Sequence, residues 1–270
     1  MTNQDSQISN EESAVGKVAT AAILAIGDEL LSGRTKDKNI GYIAEYLTKM
    51  GIDLCEARMV SDDENVIVAA LNELRANYTY VFTTGGIGPT HDDITADAVA
   101  KAFGVEIEHN PEAVALLTKR IEEGGRFKMN EARLRMARIP VGADLIENRI
   151  SAAPGFHIGN VFVFAGVPAI MQVMLDAAAP LLTGGVVMLS ETVESRVTEG
   201  DFAPHLGEVQ GRYDDVLIGS YPWFKNGEYG TNIILRSRNK PALADATGEV
   251  RGVLKELTKT LKMQKKNRKK

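Results

Sequence analysis

Short apolar runs alternate with segments of helical periodicity along the first two thirds of the chain. This alternation is typical of units in which a buried strand is followed by an amphipathic helix. Three such units are predicted. Their strands lie at residues 21–26, 53–60 and 78–84. Their helices lie at 39–50, from the end of the SDD loop to about residue 75, and at 95–103. Consecutive units of this kind form a parallel sheet with helices on both faces, so the pattern predicts a doubly wound α/β domain.

The periodic pattern continues to residue 182 and then changes. Up to that point we predict helices at 111–123, 130–138 and 168–182, a hairpin-like segment at 144–158 and a strand at 161–164. After residue 185 the predicted order is strand, helix, strand, strand, helix, at 186–197, 201–210, 216–221, 229–236 and 242–261. We therefore predict a flexible lead-in (1–17), a large domain (18–185), a small α+β domain (186–261) and a basic tail (262–270).

The composition is that of an ordinary globular protein, with 44% hydrophobic and 25% charged residues in a chain of 270. No apolar run approaches the roughly 18 residues that cross a bilayer, so we expect no membrane span. The first residues are polar and acidic, unlike a secretory signal, which predicts a cytoplasmic protein. Cys55 is the only cysteine, which excludes an internal disulfide and a CxxC site, and its mid-strand position predicts a core residue.

Charge is distributed unevenly along the chain. The formal net charge is −5, and residues 262–270 carry six Lys or Arg and no acid, so the remainder sums to −11. An acidic body argues against a broad nucleic-acid footprint. The tail is interpreted as a solvated segment, with contact to RNA, DNA or anionic lipid as the alternative.

The loop that follows the third predicted strand is the most informative motif. Its sequence, TTGGIGPTHDDIT, places three glycines, Gly85, Gly86 and Gly88, within four residues. Without Cβ atoms, consecutive backbone N–H groups can approach an anion, and the next helix adds its positive N-terminal end. The motif is neither the GxGxxG of dinucleotide-binding folds nor the Gly-Lys-Ser/Thr of NTPase loops, and a tight structural turn is the alternative.

Carboxylates lie in all three strand-to-helix loops, whose strands end at the same edge of a parallel sheet. They are Asp28 and Glu29, Asp62 and Asp63, and Asp92 and Asp93. Carboxylates repel a phosphate unless a divalent cation lies between them, and Mg²⁺ is usually held by one or two carboxylates plus substrate phosphates. The alternative is that Asp28, Asp62 and Asp92 are helix caps or turn formers, and Ser61 or Asp62 is the expected cap of the second helix.

Five ordered motifs together resemble a known family. GDELLSGRTKDKN, VSDDE, TTGGIGPTHDDIT, APGF and GVPAIM are similar to the MoaB/Mog molybdopterin-binding fold, and more closely to the N-terminal half of CinA, the competence/damage-inducible protein A. The resemblance covers residues 21–182. EGDFAPHLGEVQ and VLIGSYP resemble the KH-like portion that follows in CinA proteins. The deamidase domain of full-length CinA has no counterpart, so nicotinamide mononucleotide deamidation is not expected.

The resemblance implies chemistry on an adenylyl phosphoanhydride. Mog proteins adenylylate molybdopterin, whereas CinA and the related domain of eukaryotic FAD synthases are associated with hydrolysis of ADP-ribose or FAD at the pyrophosphate. By motif, Asp62 and Asp93 correspond to functional aspartates, and a divalent metal, Mg, Mn or Co, is expected at Asp62, Asp92 and Asp93. The residues expected to bind the ligand are Gly27, Asp28, Glu29, Thr84, Gly85, Gly86, Gly88, Pro89, Thr90, Pro154 and Gly155.

Three hypotheses follow: a metal-dependent pyrophosphatase, a molybdopterin adenylyltransferase, and a module that binds a pterin or nucleotide without turnover. Ser151-Ala152 stands where CinA sequences tend to have Gly-Thr, which favours binding alone, and His91 is interpreted as a surface residue. The resemblance also implies a homo-oligomer formed through the large domain.

In the C-terminal part, the GxxG spacing of Gly227 and Gly230 matches a KH clamp. It falls between two predicted strands, which favours a hairpin turn. Tyr221, Trp223 and Phe224 lie beside it as a packing corner or an interface.

Overall fold

The computed structural model describes residues 18–125 and 128–267, with side chains described up to residue 263. The predicted lead-in 1–17 and the last residues of the predicted tail lie outside this range. The chain divides into two compact units, one ending at Gly185 and the other beginning at Val186. Within the described residues, no helix combines the length and the apolar character needed to span a membrane.

The first unit is built on a six-stranded sheet in the order β2-β1-β3-β8-β7-β6. Its strands are β1 (Thr20–Ile26), β2 (Asp53–Val60), β3 (Tyr80–Thr84), β6 (Asp144–Ile146), β7 (Gly155–Ile158) and β8 (Val161–Phe164). The first four strands of this order are parallel, and β7 and β6 are antiparallel to their neighbours. The prediction of a mainly parallel α/β sheet is confirmed.

Helices cover both faces of this sheet. They are α1 (Asp28–Leu31), α2 (Asn39–Lys49), α3 (Glu64–Asn77), α4 (Thr95–Phe103), α5 (Pro111–Gly124), α6 (Glu131–Arg135) and α7 (Pro168–Ala178), which a 3-10 turn at Ala179–Leu181 follows. One apolar core contains Leu24 of β1 together with residues of α3, α4 and α5, and the other contains Ile23 together with residues of α2 and α7. Alternate side chains of β1 therefore enter opposite cores, as the period of two in a strand requires.

A two-stranded ribbon, β4 (Ile107–His109) with β5 (Arg138–Pro140), was not predicted from the sequence. The helix predicted at 130–138 ends at Arg135 instead, because Arg138 pairs with His109 in this ribbon. The four-residue helix α1 likewise occupies part of a predicted loop. Both differences depend on contacts between distant segments rather than on local pattern.

Cys55 is exposed, so the prediction that it lies in the core is wrong. It belongs to β2, the edge strand of the sheet, where exposed residues alternate with partly buried ones from Cys55 to Val60. The Sγ atom of Cys55 lies 3.4 Å from the main-chain oxygen of Asp53.

The second unit is a three-stranded antiparallel sheet in the order β10-β11-β9, with two helices packed on it. Its elements are β9 (Leu189–Ser195), α8 (Glu199–Gln210), β10 (Leu217–Lys225), β11 (Glu228–Ser237) and α9 (Lys240–Asn267). Asn226 and Gly227 both have positive φ, 53° and 80°, which is the conformation of a two-residue hairpin turn. The GxxG spacing therefore lies in a hairpin, as predicted, and Gly230 is a strand residue.

The aromatic residues of the second unit lie along this hairpin. The rings of Phe224 and Tyr229 stack at 5.8 Å, and both side chains are exposed. A Cβ atom at Gly230 would lie 2.4 Å from the ring of Trp223, so that glycine provides the space for the indole.

Candidate functional site

Four loops meet at the carboxyl edge of the parallel strands, where ligands bind in open α/β sheets. They follow β1, β2, β3 and β8, and main-chain hydrogen bonds connect neighbouring strand ends. Gly27 N donates to Val60 O at 3.1 Å, and Gly85 N donates to Phe164 O at 3.1 Å. A cavity of about 590 Å³ opens here, with Glu29 and Asp93 among its lining residues.

The glycine loop between β3 and α4 forms one wall of this cavity. At Gly85, φ is 104° and a Cβ would lie 2.2 Å from Ile26 O, while at Gly86 φ is 66° and a Cβ would lie 2.2 Å from Thr95 Oγ1. Thr95 Oγ1 donates to Gly85 O at 2.9 Å, which ties the loop to the first residue of α4. The first two glycines are therefore required by both conformation and space.

Asp93 lies at the end of the glycine loop and lines the cavity. Its Oδ2 accepts hydrogen bonds from Thr90 N at 2.8 Å and from Thr90 Oγ1 at 2.6 Å. A Cβ at Gly88 would lie 2.6 Å from the same oxygen. Gly88 thus provides the space for the carboxylate, and Thr90 sets its orientation.

Asp62 connects the second loop to the first. Its Oδ2 accepts a hydrogen bond from Asp28 N at 2.9 Å, in the short helix α1. Burial, followed by the charges of neighbouring carboxylates, raises the pKa of Asp62 above its ordinary value, although the Asp28 hydrogen bond lowers it. The carboxylates that raise it are Asp28, Glu29 and Asp92.

The prediction that Ser61 or Asp62 caps α3 is wrong, because Asp63 occupies the N-cap position. Asp63 Oδ1 accepts from Val66 N at 3.0 Å. The Asp62 carboxylate is engaged by Asp28 N and so does not cap the helix. The two adjacent aspartates have separate roles, one in the loop cluster and one in the helix.

The other predicted site residues occupy different positions around the cavity. Glu29 and Pro89 line it together with the three glycines. Thr84 is buried at the end of β3, Thr90 is exposed, and Gly27 adopts φ 156° where a Cβ would lie 2.7 Å from Glu29 Oε2.

The APGF motif lies beneath the glycine loop. Pro154 lines a cavity of about 20 Å³ that shares Gly86, Gly88 and Asp93 with the large one. Gly155 is buried in β7, where a Cβ would lie 2.5 Å from Val163 O. These two residues support the loop from below rather than line the large cavity.

Asp92 is exposed. Its pKa is lowered, first by the neighbouring Thr90 hydroxyl and also by the charges of His91 and Arg135. Within residues 18–125 and 128–267, no group of three or more His, Cys, Asp or Glu is placed to hold a metal by itself. Glu29 and Asp93 both line the large cavity, and Mg²⁺ is usually held by one or two such carboxylates with phosphates completing its shell.

Two asparagines that the sequence analysis did not select support the site. Asn148, which is 5% exposed, donates from Nδ2 to Ser151 Oγ at 2.6 Å and to Ala153 O at 2.8 Å. It thereby holds the segment in which Ala152 has a positive φ of 62°. Asn39 donates to Gly166 O at 2.8 Å, and a Cβ at Gly166 would lie 3.3 Å from Gly85 Cα. The available signal for Asn148 was an asparagine three residues before the run of small residues that begins at Ser151.

Arg135 also escaped the sequence analysis. Its Nη2 donates to the main-chain oxygen of Asp93 at 3.0 Å. In sequence, an arginine in a short polar helix has the pattern of a surface residue, so no local signal marked it.

Comparison with known proteins agrees with this architecture. Residues 22–184 match the family model described as "Probable molybdopterin binding domain". The chain belongs to this molybdopterin-binding domain family. Residues 187–261 match a second model, described as "FAD synthase, middle domain". The predicted resemblance to MoaB/Mog and CinA proteins is thereby confirmed.

Two relatives match about nine tenths of this chain, and one solved structure matches a smaller part of it. A protein of Pyrobaculum arsenaticum is 35% identical over 250 residues, which cover 89% of this chain and 92% of that protein. "Probable FAD synthase" of Caenorhabditis briggsae is 29% identical over 90% of this chain, which spans 50% of that protein. The solved structure of CinA from Thermoplasma acidophilum shares 32% identity with a TM-score of 0.56, covering 60% of this chain and 97% of that one.

Proposed function

We propose that this protein is a divalent-metal-dependent pyrophosphatase that hydrolyses ADP-ribose, FAD or a similar adenylyl diphosphate. The observation that carries the proposal is that the glycine loop and the Asp93 carboxylate line one cavity of about 590 Å³. That volume is within the range of small-molecule sites. A FAD synthase-type second unit is consistent with a nucleotide substrate.

In the proposed reaction, water adds to the adenylyl phosphorus and the bond from that phosphorus to the bridging oxygen breaks. The products are AMP and a phosphate monoester. Backbone N–H groups of the glycine loop and the N-terminal end of α4 bind the phosphate oxygens. Asp93, oriented by Thr90, positions the attacking water and accepts its proton.

A divalent cation, Mg²⁺, Mn²⁺ or Co²⁺, when bound, neutralises phosphate charge and lowers the pKa of water. One or two of the predicted ligands Asp62, Asp92 and Asp93 would hold it together with substrate phosphates, since no three carboxylates of the described residues are placed to hold a metal together. The raised pKa of Asp62 among neighbouring carboxylates supports this assignment, because a cation would relieve their repulsion.

A module that binds a pterin or nucleotide without turnover is the second candidate, and it is favoured by Ser151-Ala152, which stands where CinA sequences tend to have Gly-Thr and of which Ser151 lines the cavity. A molybdopterin adenylyltransferase is the third, supported by the family match. In each case we propose a cytoplasmic homo-oligomer that associates through the first unit, as the family resemblance implies, and no nucleic-acid partner.

The test is chromatographic detection of AMP, or of adenosine 3′,5′-bisphosphate in the case of coenzyme A, after the purified protein is incubated with ADP-ribose, FAD, NAD, coenzyme A or ATP, with and without each metal. Metal-dependent AMP release from one diphosphate supports the pyrophosphatase and names its substrate. No AMP from any of them overturns the hydrolase and favours the binding module or the adenylyltransferase.

A further inference from the structure

Two arginines share one carboxylate beneath the glycine loop. Arg138 Nη1 donates to Asp97 Oδ2 at 3.0 Å and its Nη2 donates to Oδ1, so this guanidinium engages the carboxylate through two nitrogens. Arg135 reaches the same group only at 3.7 Å, from Nη2 to Oδ2. One negative charge cannot offset two positive ones, and the close bidentate pair belongs to Arg138.

The charge that remains on Arg135 is poorly hydrated. Its side chain is 28% exposed, and its Nε is fully buried with no hydrogen-bond partner among the described residues. A buried donor without an acceptor costs free energy, and more so when it belongs to a charged group. If the only role of Arg135 were to stabilise the fold, a hydrogen-bond acceptor for its Nε would increase that stability.

Arg135 also contacts the loop that bears the proposed catalytic carboxylate. Its Nη2 donates to Asp93 O at 3.0 Å, while the Asp93 side chain is held separately by Thr90. Arg135 lines the small cavity of about 20 Å³ together with Gly86 and Gly88, both of which also line the large cavity. Its charge therefore lies just behind the wall against which a phosphate would rest.

We propose that Arg135 is a positioning residue for diphosphate binding. It fixes the Asp93 backbone, and its charge, which is not held in a close ion pair, favours an anionic group in the glycine loop through a partly buried and weakly screened region. This inference deepens the proposed function, since it rests on a diphosphate lying in that loop, and it assigns the cation that the acidic site otherwise lacks.

The structure provides a matched control. Arg138 has the same chemistry, nearly the same exposure of 27%, the same partner Asp97 and the same small cavity, but no hydrogen bond to the Asp93 loop. Arg135→Gln, Arg135→Lys and the double variant Asp97→Asn/Arg138→Gln are compared with the parent protein. The double variant removes the Arg138 ion pair as a unit, so the Asp97 carboxylate is not left to pair with Arg135. Inorganic pyrophosphate is titrated calorimetrically into each at fixed Mg²⁺ and at two salt concentrations, and Tm is measured by thermal unfolding.

We expect Arg135→Gln to weaken pyrophosphate binding about tenfold and to reduce its salt dependence, as loss of one charge-assisted interaction would. Arg135→Lys recovers most of the affinity, and Asp97→Asn/Arg138→Gln lowers Tm but changes affinity less than about twofold. Parent-like binding by Arg135→Gln, equal losses in Arg135→Gln and the double variant, or no binding by the parent protein overturns the inference.

The AMP assay separates this result from the proposed function. If the parent releases AMP and Arg135→Gln has unchanged KM and kcat, the inference fails and the pyrophosphatase stands. If no substrate yields AMP but pyrophosphate binding follows the expected order, the hydrolase fails and the role of Arg135 in diphosphate binding stands.

Discussion

Two clusters of charged residues, both connected to β2, differ in how their charges are satisfied. On the strand itself, Arg58 donates to Glu56 and, at 2.6 Å, to Glu73, while Tyr78 OH donates to Glu56 at 2.8 Å. The pKa values of both glutamates are lowered, chiefly by the hydrogen bonds from Arg58. We call these four residues the β2 network, in which both carboxylates accept hydrogen bonds from the same guanidinium.

Among the loop carboxylates beyond the end of β2, Asp62 shows the opposite pKa shift. Asp62 lies among Asp28, Glu29 and Asp92, and its pKa is raised by burial and then by their charges. Networks that satisfy their own charges stabilise a fold, whereas a carboxylate held among like charges is typical of a site that binds a cation or performs chemistry. The raised pKa of Asp62 thus distinguishes this carboxylate from the two glutamates of the β2 network.

The largest expected effect is loss of turnover in Asp93→Asn. The amide oxygen can still accept from Thr90, so the fold should be retained, but the negative charge that accepts a proton is gone. We expect AMP release to fall on the order of 100-fold or more, with Tm unchanged. Equal rates in mutant and parent would rule out the role of Asp93.

Neighbouring aspartates should separate function from stability. Asp62→Asn removes a proposed metal ligand, so we expect activity to fall at least about tenfold. It also removes one of several like charges, so we expect no loss of stability. Asp63→Ala removes the cap of α3 and should cost about 1 kcal/mol of unfolding free energy while activity is retained. Activity assays and denaturant unfolding of both variants check this, and the reverse pattern would contradict the assignment.

A smaller effect is expected from Gly88→Ala. The new Cβ would lie 2.6 Å from Asp93 Oδ2, and because φ is not positive at this glycine, displacement of the carboxylate is the main consequence. We expect activity to fall roughly tenfold with nearly unchanged Tm. Gly41→Ala is the control, since open space surrounds it in α2 and alanine there should stabilise by up to about 1 kcal/mol.

The smallest effect concerns the β2 network and should depend on pH. Arg58→Met removes the cation that lowers the pKa of Glu56 and Glu73. A depressed folded-state pKa stabilises the protein above the ordinary value of 4.5, and this contribution is lost as pH falls through the lowered value.

Thermal unfolding of the parent and Arg58→Met at pH 7 and near pH 3 measures this difference. The difference in Tm between the parent and Arg58→Met should be modest at pH 7 and should disappear at acid pH. AMP release at neutral pH should be the same in both proteins. A gap that is equal at both pH values would show that Arg58 acts through packing instead.

Local pattern was sufficient for much of the fold and for the outline of the site. The bounds predicted for β2, α4 and β8 agree with the structure, because each combines a continuous local pattern with a clear stop signal. The glycine loop was visible because its three glycines fall within four residues.

What the sequence left undetermined depends on distant neighbours. Ser61, Asp62 and Asp63 all have capping side chains, and only the contact with Asp28 N decides which of them is free for α3. Cys55 has the pattern of a core residue until β2 is known to be an edge strand. Arg135 gains its importance from Asp97 and Asp93, which lie about 40 residues earlier in the chain.

The strand order has a consequence for the rate of folding. The first described strand, β1, lies inside the sheet next to β3. The other neighbour of β3 is β8, whose residues lie 80 positions later in the chain, as in the pair Val81 and Val161. Pairings so distant in sequence form slowly, because the loop-closure entropy must be overcome before contacts compensate it. During synthesis the sheet therefore stays incomplete beyond β3 until Phe164 has left the ribosome, and this interval is when aggregation competes with folding.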